Sequence, residues 1–122
     1  MQESLYHLTE LGFYDKTTMK YQFSGILQEL IDKAQIGSKE DVDLIMSYLT
    51  NKSSLAMTRY VDFALSLVVN PIGFEQIKYY LFNGTLIQRN YASLYLNRLG
   101  EWEIVKEAFK QGLIDEIQAF AR

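Results

Sequence analysis

The sequence predicts an all-α fold, a short superhelix of stacked antiparallel helical hairpins. Apolar residues recur three and four positions apart through most of the chain, which is the spacing of one helix face. Five of the seven glycines fall between these periodic segments, and the single proline begins one of them. No window shows the sustained alternation of a half-buried strand. At 122 residues, the chain has the length of one small domain.

About eight helices follow from this periodicity, joined by connections so short that neighbours are expected to pack antiparallel. The segment Gly12–Lys16 is predicted to be a loop. The predicted helices are Ser4–Leu11, Thr17–Lys33, one that starts at Ser38, Leu55–Val69, Pro71–Phe82, Thr85–Leu99, Glu101–Gln111 and Ile114–Ala121.

Helix-end signals support these boundaries. Ser38 is followed by Asp41 at the third helical position, and Thr85 by Gln88, which is the capping-box spacing. Asn70–Pro71 combines a capping amide with a proline at the first helical position, where its missing N–H would have no partner. Glycines follow two of the later helices, where a left-handed residue is favoured.

The chain also matches itself. Ile45–Asn51 lies over Ile77–Asn83 at an offset of 32 residues, and Tyr60–Val68 lies over Tyr91–Leu99 at an offset of 31. Because a lone hairpin cannot bury its apolar face, repeated hairpins are expected to stack and share one core. The chain is then one domain, 1–122, with approximate units 1–36, 38–69, 70–100 and 101–122.

The clearest unit is NGTLIQRNYASLYLNRLG, from Asn83 to Gly100. It resembles the second helix of a HEAT-like (armadillo-type) repeat, of the kind also found in phycobilisome-lyase-type HEAT proteins. Asn83 stands at the turn position of that pattern, Arg89 at its arginine, Ala92 at a small position and Leu99–Gly100 at the close. The resemblance implies an α-solenoid and binding roles, and it implies no reaction, because one fold hosts many functions.

Composition excludes several kinds of chemistry. The chain has no cysteine, so it has neither disulfides nor thiolate metal sites. His7 is the only histidine and is predicted to lie at the surface or the core edge. The carboxylate clusters Glu40–Asp43, Glu101–Glu103 and Asp115–Glu116 occupy predicted first helical turns, where negative charge opposes the helix dipole. We therefore predict no catalytic residue, no metal and no cofactor.

A polar stripe is the candidate binding site. On the helix Leu55–Val69, the face opposite the apolar one has a cationic, an acidic and a hydroxyl side chain. The residues 31 positions later, on the helix Thr85–Leu99, are also polar and extend this stripe. Since second helices line the concave side of HEAT-like stacks, the stripe predicts a peptide or ligand groove. An ordinary solvated face is the alternative. The candidate residues are Arg59, Asp62, Ser66, Arg89, Asn90, Ser93 and Asn97.

The leading functional hypothesis is a protein-interaction or scaffold module that binds another protein or peptide. The incomplete last unit, with Ile114, Ile117 and Phe120, offers a second contact, a homodimer interface. Alternatives are a nucleic-acid-binding protein, which the net charge of −3 disfavours, and an accessory protein of the lyase type. Trp102 is predicted to pack beneath a turn. The chain shows no signal peptide and no membrane span, so a cytoplasmic location without membrane contact is expected.

Overall fold

The computed structural model describes residues 12–15, 20–23 and 25–122. Two short strands, β1 and β2, precede a series of helices, and from residue 25 to residue 122 every regular element is a helix. The prediction of a helical protein is therefore confirmed for this part of the chain. The elements are β1 (Gly12–Asp15), β2 (Lys20–Phe23), α1 (Gly25–Ile36), α2 (Lys39–Ser47), α3 (Leu55–Leu65), α4 (Pro71–Asn83), α5 (Leu86–Arg98), α6 (Trp102–Lys110) and α7 (Glu116–Phe120).

Both predicted capping boxes are confirmed. Before α2, Ser38 Oγ accepts a hydrogen bond from Asp41 N at 3.2 Å, and Asp41 Oδ2 accepts one from Ser38 N at 3.1 Å. Before α5, Gln88 N donates to Thr85 Oγ1 and Thr85 N donates to Gln88 Oε1. Each pair satisfies two N–H groups that a helix start would otherwise leave without partners.

The predicted cap of α4 and the two predicted glycine ends also hold. Asn70 caps α4 by accepting a hydrogen bond from Ile72 N at 3.0 Å, and Pro71 occupies the first helical position. Gly100 and Gly112 follow the ends of α5 and α6 with φ angles of 82° and 76°. Only glycine adopts this left-handed region without strain, so these two residues let the chain reverse directly after each helix.

The start of the chain differs from the prediction. β1 and β2 pair antiparallel, with Tyr14 opposite Tyr21 and Asp15 opposite Lys20. The helix predicted over Thr17–Lys33 begins only at Gly25, and part of the predicted loop Gly12–Lys16 is a strand. Aromatic residues are enriched in strands, and this register pairs an acidic with a basic position, which the helical spacing alone did not reveal. The predicted helix Ser4–Leu11, with His7, lies outside the described residues.

Two later boundaries were also placed wrongly. α3 ends at Leu65 rather than Val69, because the N–H groups of Leu67 and Val68 donate to carbonyl groups only three residues back, so the α-helical ladder stops there. The last helix, α7, starts at Glu116, where the side chain of Asp115 accepts a hydrogen bond from Gln118 N.

The helices contact one another in two sets. In the odd set, α1 contacts α3, α3 contacts α5, and α5 contacts α7; in the even set, α2 contacts α4, and α4 contacts α6. Neighbouring helices along the chain, such as α4 with α5 and α5 with α6, join the two sets. One core of apolar side chains lies between them. Its largest fully buried members are Leu27, Leu30, Val42, Ile45, Met46, Leu49, Val61, Leu65, Ile77, Leu81, Leu96 and Val105.

The α1–α2 connection packs directly against the start of α4. Asn70 Nδ2 donates a hydrogen bond to Ile36 O at 3.1 Å, across 34 residues of sequence. Gly73 lies so close to this connection that an added Cβ would come within 2.6 Å of Gly37 O. The absence of a side chain at residue 73 is therefore a requirement of the packing.

Candidate interaction surface

The three candidate residues on α3 lie at the surface. Arg59 and Ser66 are exposed and Asp62 is half-buried. Asp62 Oδ1 accepts a hydrogen bond of 2.8 Å from Arg98 Nη1, on α5. This ion pair joins two successive helices of the odd set at their outer side.

A small depression surrounds that ion pair. Its volume is about 70 Å³, which suits a few water molecules rather than a ligand. The residues that line it are Asp62, Ser66, Tyr95, Arg98 and Leu99.

Arg98 also borders a larger depression on the other side of α5, between that helix and the C-terminal segment. Its volume is about 440 Å³, within the range of sites that hold small ligands. Its lining combines apolar and aromatic side chains with two amides and two guanidinium groups, and no carboxylate side chain lines it. The lining residues are Asn90, Tyr91, Leu94, Arg98, Gln118, Ala121 and Arg122.

Asn90 connects this depression to a third one, which lies where the α2–α3 turn approaches the start of α5. The third depression has a volume of about 750 Å³ and no charged residue in its lining. Asn90 Oδ1 is buried, and it accepts no hydrogen bond from any described residue. The lining residues are Ser47, Leu49, Thr50, Asn51, Thr85, Leu86, Ile87, Gln88 and Asn90. We call the outer residues of α5 that border the three depressions, Asn90, Tyr91, Leu94 and Arg98, the α5 strip.

Three of the predicted site residues hold the fold together instead. Arg89 Nε donates to Leu113 O at 2.7 Å and its Nη1 donates to Gly84 O at 2.8 Å, which ties the α4–α5 turn to the α6–α7 turn. Ser93 is fully buried and its hydroxyl donates to Asn90 O. Asn97 is buried as well, so neither Ser93 nor Asn97 belongs to an open surface.

The prediction misplaced these residues because it assumed that α3 and α5 expose the same face. α5 contacts α3, α4, α6 and α7, so only a narrow strip of it reaches solvent. The sequence analysis therefore missed Tyr91, Leu94, Arg98 and Arg122. A usable signal was present on α5, because Asn90, Leu94 and Arg98 are spaced four apart, the spacing of one helix face.

The side chain of Trp102 is only partly packed against the protein. Its side chain is about half exposed, its Nε1 donates to Asn97 O at 3.2 Å, and Arg122 Cζ lies 4.8 Å from the centre of its ring. This cation–π contact holds the guanidinium of Arg122 at the edge of the 440 Å³ depression.

A second polar cluster joins α2 to α4 on the even set. Asp43 Oδ1 accepts hydrogen bonds from Gln76 Nε2 at 2.7 Å and from Tyr80 Oη at 2.8 Å, and Lys39 Nζ lies 3.6 Å from Asp43 Oδ2. Burial alone would raise the pKa of Asp43, but these hydrogen bonds and the lysine charge outweigh it and lower the pKa below 3.8. Burial, with the hydrogen bond to Asp43, raises the pKa of Tyr80. The phenol therefore stays protonated and serves as a donor.

This cluster predicts a loss of stability in acid. A carboxylate whose folded pKa lies below its unfolded value of 3.8 contributes stability above that value and loses it as the pH falls through the folded pKa. We expect Asp43→Asn to remove this acid-dependent decrease in the free energy of unfolding below about pH 4. The effect should be under about 1 kcal/mol because the side chain is partly exposed. Urea unfolding at neutral and acid pH measures it. Glu40→Gln, an exposed residue of the same helix, is the control, and an unchanged acid limb in Asp43→Asn would contradict the assignment.

Two other carboxylates cap helices. Asp41 and Asp115 both accept hydrogen bonds from N–H groups of first helical turns. Among residues 12–15, 20–23 and 25–122, no three His, Cys, Asp or Glu side chains come together in an arrangement that could hold a metal ion. No helix in the described part of the chain is long and apolar enough to span a membrane.

Comparisons with known proteins found no relative of this chain. No protein-family model, no curated protein and no solved structure matches the chain significantly. The functional interpretation therefore depends on the molecule's own geometry.

Proposed function

We propose that this chain is a short HEAT-like stack of helical hairpins that serves as a protein-interaction module, and that partners bind along the α5 strip. The observation that carries the proposal is the series of three depressions linked through Asn90 and Arg98, about 70, 440 and 750 Å³ in volume. Their linings combine apolar side chains with a few amides, hydroxyls and guanidinium groups, which is the usual composition of a recognition surface.

Two kinds of observation support a stacked arrangement. Helices two apart in sequence contact each other in both sets, as expected when each hairpin lies against the next. Several residues matched by the internal repeat also share environments. Ile45 and Ile77 are fully buried, and so are Leu65 and Leu96, whereas Val68 is buried and its match Leu99 is exposed.

Hydrogen bonds from side chains of α5 to earlier hairpins would hold such hairpins in register. Tyr95 Oη donates to Val68 O at 3.0 Å, and Gln88 Nε2 donates to Met46 O at 3.0 Å. These bonds span 27 and 42 residues and end on backbone carbonyls of earlier hairpins. A rigid stack of this kind would present the α5 strip as a preformed surface, which lowers the entropic cost of binding.

A site-specific cross-link tests the proposal. A photoreactive phenylalanine analogue replaces Tyr91, on the α5 strip, or Tyr79, an exposed tyrosine of α4 on the even set. We expect protein adducts in an extract of the source cells from residue 91 and not from residue 79.

The adduct must then be verified with purified components. A partner identified by mass spectrometry is expected to bind the wild-type chain and to bind the Arg98→Glu variant at least about tenfold more weakly, since a contact charge is reversed. Equal adducts from both positions, no adduct from residue 91, or adducts with nucleic acid instead of protein would each contradict the proposal.

A further inference from the structure

All four arginines of the chain lie on helices of the odd set or just after one. Arg59 is on α3, Arg89 and Arg98 are on α5, and Arg122 follows α7, whereas neither α3 nor α5 contains a lysine. The even set carries lysines only, at Lys39, Lys78, Lys106 and Lys110. The two cations are not equivalent, because the planar guanidinium group binds a carboxylate with two parallel hydrogen bonds and the ammonium group does not.

The side chains that line the three depressions carry a net charge of the opposite sign to that of the whole chain. The side chains that line the three depressions include two arginines, Arg98 and Arg122, and one carboxylate, Asp62. The chain as a whole carries a net charge of −3. A cationic strip on an acidic protein selects partners by sign, because an acidic partner is repelled elsewhere and attracted here.

Arg98 is positioned to bind a second carboxylate. Its Nη1 donates to Asp62, and no other hydrogen bond joins its guanidinium group to the described residues, although the group has five N–H donors. Its side chain remains 42% exposed. Asp62 thus orients the guanidinium group on one side and leaves further donors for a ligand.

The surface between the two arginines is apolar. Tyr91, Leu94 and Ala121 line the depression between Arg98 and Arg122, and the amides of Asn90 and Gln118 complete it. This arrangement suits a peptide in which carboxylates flank an apolar side chain. It suits a polynucleotide less well, because nucleic acid would need a longer run of cations to offset its phosphates.

We propose that the α5 strip, together with Arg122, binds an acidic segment of a partner protein. Carboxylates of this segment bind Arg98 and Arg122, and an apolar side chain packs against Tyr91 and Leu94. This inference rests on the proposed function and names the chemical class of the partner.

Fluorescence anisotropy with labelled synthetic peptides tests it. An acidic peptide alternates Glu and Asp with Leu and Tyr, a neutral one replaces the acids by Gln and Asn, and a basic one replaces them by Lys and Arg. We expect the acidic peptide to bind about tenfold or more tightly than the neutral one, and more weakly as salt is added. A labelled single-stranded oligonucleotide is the fourth probe.

Charge-removing variants localise the contact. Arg98→Gln and Arg122→Gln are each expected to weaken binding of the acidic peptide about threefold to tenfold. Lys78→Gln, which makes the same charge change on α4, is expected to leave binding unchanged. Asp62→Asn is expected to tighten binding, because the asparagine Oδ1 can still accept the hydrogen bond from Arg98 while a negative charge beside the site is removed. Circular dichroism confirms that each variant is folded.

The outcomes separate this inference from the proposed function. If the neutral peptide binds as tightly as the acidic one, or if Lys78→Gln weakens binding as much as Arg98→Gln, the acidic partner is wrong while a peptide-binding surface survives. Weaker binding by Asp62→Asn would overturn the role given to Arg98. If the oligonucleotide binds and no peptide does, both proposals fail.

Discussion

Replacing Gly73 by alanine is expected to destabilise the fold by about 3 kcal/mol, near the top of the range for overpacked sites. The new methyl group would lie 2.6 Å from Gly37 O and 2.7 Å from Val68 Cγ1, far inside van der Waals contact. One of these atoms is backbone, so relief requires α4 to move away from the α1–α2 connection. For a domain of this size, the thermal midpoint should fall by roughly 10 °C, measured by circular dichroism.

Gly25→Ala is the matched control. Residue 25 begins α1, and an added Cβ there would meet nothing within 4 Å. Because alanine restricts the unfolded chain more than glycine does, this variant is expected to be neutral or up to about 1 kcal/mol more stable. If Gly73→Ala melts at the same temperature as Gly25→Ala, α4 does not approach the α1–α2 connection as closely as these distances require.

Replacing Asn97 by aspartate is expected to have a comparable effect. Asn97 Nδ2 donates to Ala121 O at 2.8 Å and to Ala119 O at 3.1 Å, and the side chain is 2% exposed. The substitution exchanges a shared donor for a buried negative oxygen that faces two carbonyl groups. We expect the free energy of unfolding to fall by about 3 kcal/mol at neutral pH. The buried carbonyl groups lose their donor, and the new buried charge has no partner.

The single tryptophan makes the consequence visible. Trp102 Nε1 donates to the backbone oxygen of Asn97, and Arg122 covers the ring. Release of α7 and the segment after it should therefore shift the Trp102 emission to longer wavelengths at denaturant concentrations below the global transition. Hydrogen exchange of the α7 amides should increase in the same range.

The loss should also depend on pH. Burial raises the pKa of a carboxyl group, and the protonated acid can donate a hydrogen bond, so the penalty of Asn97→Asp should shrink as the pH falls. Asn51→Asp, the same change at an exposed turn residue, should alter stability by no more than about 0.5 kcal/mol and show no such dependence. A penalty equal to that of Asn51→Asp would show that Asn97 does not anchor the C-terminal segment.

The helices and most of their ends could be predicted from the residues alone. Ser38 with Asp41, Thr85 with Gln88, and Asn70 with Pro71 act within a few positions of each other, so their effect depends little on the rest of the molecule. The apolar spacing likewise identified buried residues such as Ile45 and Leu65. The first error, β1 and β2 in place of a loop and a helix start, concerns pairing between separate segments, which periodicity does not report.

The candidate surface depended on information that no local pattern contains. The sequence showed that α5 carries polar residues, but which of them face solvent follows from its contacts with α3, α4, α6 and α7. Asn97 is buried because α7 packs over it, and Arg98, the next residue, is exposed and reaches Asp62. Local hydrogen bonds decide where a helix begins and ends, and packing between segments far apart in sequence decides which side of it remains open to a partner.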